Sequence, residues 1–184
     1  MRKLLMFLLI SLFLVACNVP FSAVVVMDTP TYTPSLTPTV EPSVCAWVWA
    51  TKPLPDLSSK VQAALESASL PVTNVFAEAF GENCVDSQTN RVTSFGAMET
   101  DFRITLQVKS LKDAEQLGSL LEQTLVVLDG FPTGSTPGSQ PGIVGVTFQA
   151  GKETTNLSFT VTEGKAARDK GLRGAALLEA LTKK

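Results

Sequence analysis

Proline recurs at positions 30, 34, 38 and 42, inside a tract made almost wholly of Thr, Pro, Ser and Val, and no packed fold can be built through that tract. Each proline removes the backbone N–H that a helix interior or a central strand requires. The Thr and Ser side chains between them offer too little apolar surface to offset chain ordering. Ahead of the tract stand Arg2, Lys3 and an apolar run from Leu4 to Ala16. That run is too short to cross a bilayer, which takes roughly 20 apolar residues. Three parts follow: a leader over 1–16, a linker over 17–44, and residues 45–184, whose length suits one globular domain rather than two.

Met1-Arg2-Lys3 followed by Leu4–Val15 has the anatomy of a secretory signal, a positive start and then a short apolar stretch. The run closes on Leu14-Val15-Ala16-Cys17, which resembles the lipobox of bacterial lipoproteins, a likeness confined to the first 17 residues. The resemblance implies a thioether-linked diacylglycerol on Cys17 and cleavage between Ala16 and Cys17. It implies anchoring at a bacterial cell membrane, with the domain facing outside the cytoplasm. Asn18 rather than Asp follows the cysteine, so the inner-membrane retention signal of some two-membrane bacteria is absent. As extended polyproline II, residues 28–44 would hold the domain about 50 Å from the anchor at roughly 3.1 Å each. A plain tether is the simpler reading of that Thr/Pro stretch, and a glycosylated stalk the sharper one.

The chain has no histidine. A Ser-His-Asp or Cys-His nucleophile and a His-containing zinc site are therefore excluded. Its 15 basic and 17 acidic side chains become 13 and 17 once Arg2 and Lys3 are removed, a balance that argues against nucleic acid as a partner. No cofactor is implied. With Cys17 lipidated, Cys45 and Cys84 are the remaining thiols, and in an exported domain they are expected to form a disulfide. Two thiols alone do not complete a zinc shell.

Glu78, Glu82, Asp86, Glu99 and Asp101 share one stretch in which Arg91 is the only cation. A calcium site or a paired-carboxylate centre would use such residues. The segment lacks the spaced ligand ladder of a calcium loop and singles out no pair, so a solvated acidic rim is the expectation, with no catalytic residue assigned. Trp47 and Trp49 alternate on a strand beside Cys45, either packing in the core or offering a surface to a sugar or peptide. Residues 129–142 hold four glycines and three prolines and run from helix to strand without a lysine, unlike a P-loop. Phe131 in that loop joins Trp47 and Trp49 as a candidate ligand or partner surface. Lys165, Arg168, Lys170, Arg173, Lys183 and Lys184 oppose only Asp169 and Glu179, either a solvated helix end or a contact for anionic head groups.

Periodicity supplies the elements. Alternation predicts strands over 44–51, 72–80, within 92–109, and a hairpin of 143–150 and 154–162 about Gly151-Lys152. Asp56 or Ser58 is expected to cap a helix to Ser69, Ser110 one to Leu128, and a last helix covers 172–181. Residues 81–90 read as a turn. The expected class is α+β, a two-layer sandwich of mostly antiparallel sheet with two or three helices. Its order is αββαββα behind a first strand, and its first six elements match a ferredoxin-like split βαβ arrangement. A Cys45–Cys84 bond conflicts with strict split βαβ order, where the first two strands are parallel, and favours antiparallel placement of 44–50 and 72–80. The functional expectation is a lipid-anchored extracytoplasmic binding or protein-interaction module, not an enzyme, with an unknown extracytoplasmic protein or small ligand. A carboxylate-dependent cell-envelope hydrolase and a structural or assembly lipoprotein are the alternatives.

Overall fold

The computed structural model describes residues 45–132 and 134–183. Cys17, the lipobox and the Thr/Pro tract lie outside them. The order of elements is β1 (Cys45–Pro53), α1 (Pro55–Ser67), β2 (Val72–Asp86), β3 (Val92–Gln107), α2 (Ala114–Asp129), β4 (Ile143–Ala150), β5 (Glu153–Thr160), α3 (Val161–Asp169) and α4 (Gly174–Thr182). The class is α+β, with one five-stranded sheet in the order β1-β2-β3-β4-β5. The sheet is mixed. Neighbours pair antiparallel except β3 and β4, which are parallel because α2 carries the chain back across before β4 begins.

β1 and β2 pair antiparallel although α1 lies between them, Trp47 standing opposite Cys84 and Thr51 opposite Phe80. A split βαβ unit needs those strands parallel, so the ferredoxin-like order does not describe this sheet. Cys45 and Cys84 are joined, with their Cα atoms 5.0 Å apart. The bond is diagonal, since Cys45 itself faces Asp86 across the ladder.

Alternation on β3 divides the sheet into two faces. Phe102, Ile104 and Leu106 are buried, and Val144, Val146 and Phe148 run beside them on β4. Leu57, Val61 and Leu65 of α1, Leu117, Leu121 and Leu125 of α2, Ala167 of α3, and Leu177 and Leu181 of α4 complete the same core. The opposite face carries Arg103, Asp101, Glu78 and Phe76, the cross-strand partners of β2 and β3.

Several boundaries differ from the pattern reading, each for a local reason. The segment 81–90 is mostly strand: β2 runs to Asp86, whose side chain accepts from the N–H groups of Gln88 and Thr89 and closes a turn that ends with Asn90 at φ 57°. Neither Asp56 nor Ser58 caps α1; Pro55 opens it, its missing N–H costing nothing in a first turn. The Ser58 hydroxyl instead donates to Leu54 O and accepts from the N–H of Ala77, tying the helix to β2. Asp113 rather than Ser110 caps α2, accepting from the N–H of Gln116 at 3.0 Å. β5 stops at Thr160, and Val161, read as a strand residue, begins a fourth helix. Thr160 accepts from the N–H of Glu163, and the Glu163 carboxylate accepts from the N–H of Thr160, a complete capping box.

Candidate functional site

β1 is an edge of the sheet, and its sequence from Cys45 to Thr51 carries no charge. None of its residues is buried. Trp47 is 56% exposed and Trp49 60%, which rejects the reading of the pair as core packing. Edge strands ordinarily bear charges, bulges or cover that blunt their unpaired backbone groups. β1 has Lys52 and Pro53 only at its far end. Among the described residues nothing pairs with its outer side.

Register places a set of side chains beside the tryptophans. Directly opposed residues of an antiparallel pair share a face, so Glu82 lies on the face of Trp49, and Glu99 on that of Phe80. Trp49 and Phe80 stack with ring centroids 5.2 Å apart and planes 7° from parallel. Gly96 stands opposite Glu82 and contributes no side chain there. Glu82 and Glu99 have no hydrogen-bond or ion-pair partner among the described residues, whereas Glu78 is buried and paired with Arg103. Arg103 also sits over the Phe76 ring, 5.6 Å from its centroid.

The five acidic residues of the stretch therefore divide by role. Glu78 is held by Arg103, Asp86 closes the turn after β2, and Asp101 accepts from the N–H of Ile143 at 2.7 Å, fixing the start of β4. Glu82 and Glu99 flank the aromatic stack. Among the described residues no group of three His, Cys, Asp or Glu side chains is placed to hold a metal.

Phe131 is placed elsewhere. It lines a cavity of about 650 Å³ with Phe102, Leu125, Leu128, Val144 and Val161, roofed by the loop after α2, and neither tryptophan reaches it. The roof is fastened to β3. The N–H groups of Ser139 and Gln140 donate to Met98 O, and the Thr100 hydroxyl donates to Pro137 O at 2.6 Å. Gly142 crosses Thr100 so closely that a Cβ there would stand 1.9 Å from the Thr100 carbonyl oxygen, so this position admits only glycine. The structure thus brings Trp47 and Trp49 together and sets Phe131 apart from them.

The cationic C-terminal segment is largely matched by acids. Arg168 pairs with Asp129 at 2.5 Å, Arg173 with Glu122 at 2.7 Å, Lys165 with Asp169 at 3.5 Å, and Lys183 with Glu179. The Lys183 ammonium, by hydrogen bond and charge, lowers the pKa of Glu179. This end is a web of surface pairs rather than an open basic patch.

The register shift beside Phe80 falls on β3, where Glu99 faces Phe80 and Ala97 faces Gly81, so the face of β2 continues through Phe80 while its partners across the ladder change. A usable signal was present: Phe76-Ala-Glu-Ala-Phe80-Gly-Glu82 repeats an aromatic and a carboxylate four residues apart on one face of β2. No described helix is long and apolar enough to cross a membrane. No family model matches the chain, and searches of curated proteins and of solved structures return no match.

Proposed function

We propose that the chain is a lipid-anchored extracytoplasmic interaction module whose docking surface is the outer edge and tryptophan face of β1. The observation that carries this reading is an edge strand uncharged from Cys45 to Thr51, with no buried residue and two exposed tryptophans. Tryptophan is costly to leave in water and is enriched where protein surfaces meet. Strand edges supply main-chain donors and acceptors to an added strand. The anchor is the lipid on Cys17, and the domain faces outside the cytoplasm at a bacterial cell membrane; the Cys45–Cys84 bond supports an oxidising compartment. In this reading the helices form one layer and the sheet the other, a two-layer sandwich whose uncovered sheet face is the working one.

The module has no catalytic role in this reading. Glu78 and Asp101, cross-strand partners, each hold a structural contact. The cavity lined by Phe131 favours a second reading, a small apolar ligand under the loop, because its volume falls in the range of ligand pockets, about 300–1,000 Å³.

A photo-crosslinking residue at Thr51, in cells expressing the full chain, tests the first reading. The expected product is a discrete adduct that is lost when Trp49→Ala is added and is reduced in the Cys17→Ser form. Crosslinking at Lys152, beside the opposite edge, that equals crosslinking at Thr51 would refute it.

A further inference from the structure

We infer that the partner of β1 is an extended basic segment, one that adds as a sixth strand and places a Lys or Arg against Trp49 and Glu82, with Glu99 adding to the negative field behind them. The inference rests on the docking reading above and names the chemistry of what docks.

β2 carries two copies of one aromatic–carboxylate unit, and only the first is completed by a cation. Phe76 and Glu78 form a unit that is complete inside the chain: Arg103, opposite Phe76, covers its ring and pairs with Glu78. Phe80 and Glu82 repeat that unit one step along the same face. Here the residue opposite Phe80 is Glu99, so the position that held a cation now holds a second carboxylate. Trp49 stacks on Phe80, and Gly96 leaves the space beside Glu82 open. The result is two carboxylates, unpartnered among the described residues, flanking a stack of exposed Trp49 on half-buried Phe80. A guanidinium or ammonium group is attracted by both, through the ring quadrupole and through charge.

That cation must come from outside the described residues, and the place from which it can come is the open side of β1. A strand laid there projects alternate side chains onto the face of Trp47 and Trp49. Lys or Arg at those alternating positions extends over Trp49 toward Glu82, two strand spacings away, and feels Glu99 on β3 through charge alone, while the backbone satisfies the edge. The same charge argues against a second copy of this chain, whose own Glu82 and Glu99 would return to the interface.

The test uses the full chain in detergent, with emission from Trp47 and Trp49, the only two tryptophans, as the readout. The probes are the peptide Thr-Lys-Val-Lys-Val-Lys-Thr, its counterpart with Glu for Lys, and the Lys peptide N-methylated on alternate backbone nitrogens. The expected result is a saturable emission change with the Lys peptide alone, weakened by salt. Glu82→Gln and Glu99→Gln should weaken it by roughly two- to fivefold each. Equal response to the Glu peptide overturns the charge assignment, and equal response to the N-methylated peptide overturns strand addition. A concentration-dependent emission change without peptide, tracking dimer formation, replaces the basic segment by a second copy. A response to chitooligosaccharide with none to the Lys peptide replaces it by a glycan. A Thr51 adduct in cells alongside a silent Lys peptide would sink this inference and leave the docking surface standing.

Discussion

The two edges of the sheet are built on opposite plans. β5 presents Glu153, Thr154, Thr155, Asn156 and Ser158 to water and sends Leu157 and Phe159 into the core. Its last residue, Thr160, caps the helix that follows, so the strand is fixed from both sides. β1 contributes no buried side chain to the core and is held by its ladder with β2 and by the bond to Cys84. One edge is polar and structurally committed; the other is apolar and structurally expendable. A strand that the core does not use, and that carries exposed tryptophans with its one charge at the far end, fits the docking surface proposed above.

The contrast can be broken or sharpened by mutation. Phe159→Ala in β5 should cost about 3–5 kcal/mol, the usual loss for a buried aromatic, read from chemical denaturation. A loss below about 1 kcal/mol would put β5 on the same footing as β1. Cys45→Ser should remove about 3–4 kcal/mol, the loop-entropy value for residues 39 apart in sequence. Amide exchange should then show opening of 46–51 with little change at 144–148; simultaneous opening of β4 would mean that β1 is integral to the sheet. Thr160→Ala should cost about 1 kcal/mol through the lost cap, with α3 fraying first. Trp47→Ala should change stability by no more than about 0.5 kcal/mol, as for an exposed side chain away from special features. A larger loss in a thermal melt would show that the tryptophan is structural after all.

Much of this layout was legible in the chain. Phe102, Ile104 and Leu106 alternate so regularly that their face was readable, and the hairpin of β4 and β5 turns at Gly151, whose φ of 62° needs a residue tolerant of the left-handed region. The disulfide was legible from the number of thiols and carried topology with it, since its bridging distance forbids parallel β1 and β2. The helix α3 was missed although Thr160 and Glu163 stand at capping-box spacing, because the apolar alternation of Leu157, Phe159 and Val161 outweighed it. The exposure of the tryptophans was not readable, since period-2 alternation marks a strand without saying which face is covered. Nor was the division of the acidic stretch, which depends on Arg103 lying across the ladder from Phe76 and on the register shift of β3 beside Phe80.

The Cys45–Cys84 bond has a mechanical consequence. The described domain begins at Cys45, so tension applied to the chain from its N-terminal side arrives first at the end of the edge strand. Edge strands yield to such a load by peeling, one pair of hydrogen bonds at a time, which needs far less force than shearing a whole ladder. Here the load passes at its point of entry through a covalent sulfur bridge into β2, which lies between β1 and β3 and is paired on both sides. Residues 46–51 are thereby taken out of the line of force, and the edge keeps its shape under a pull from that side.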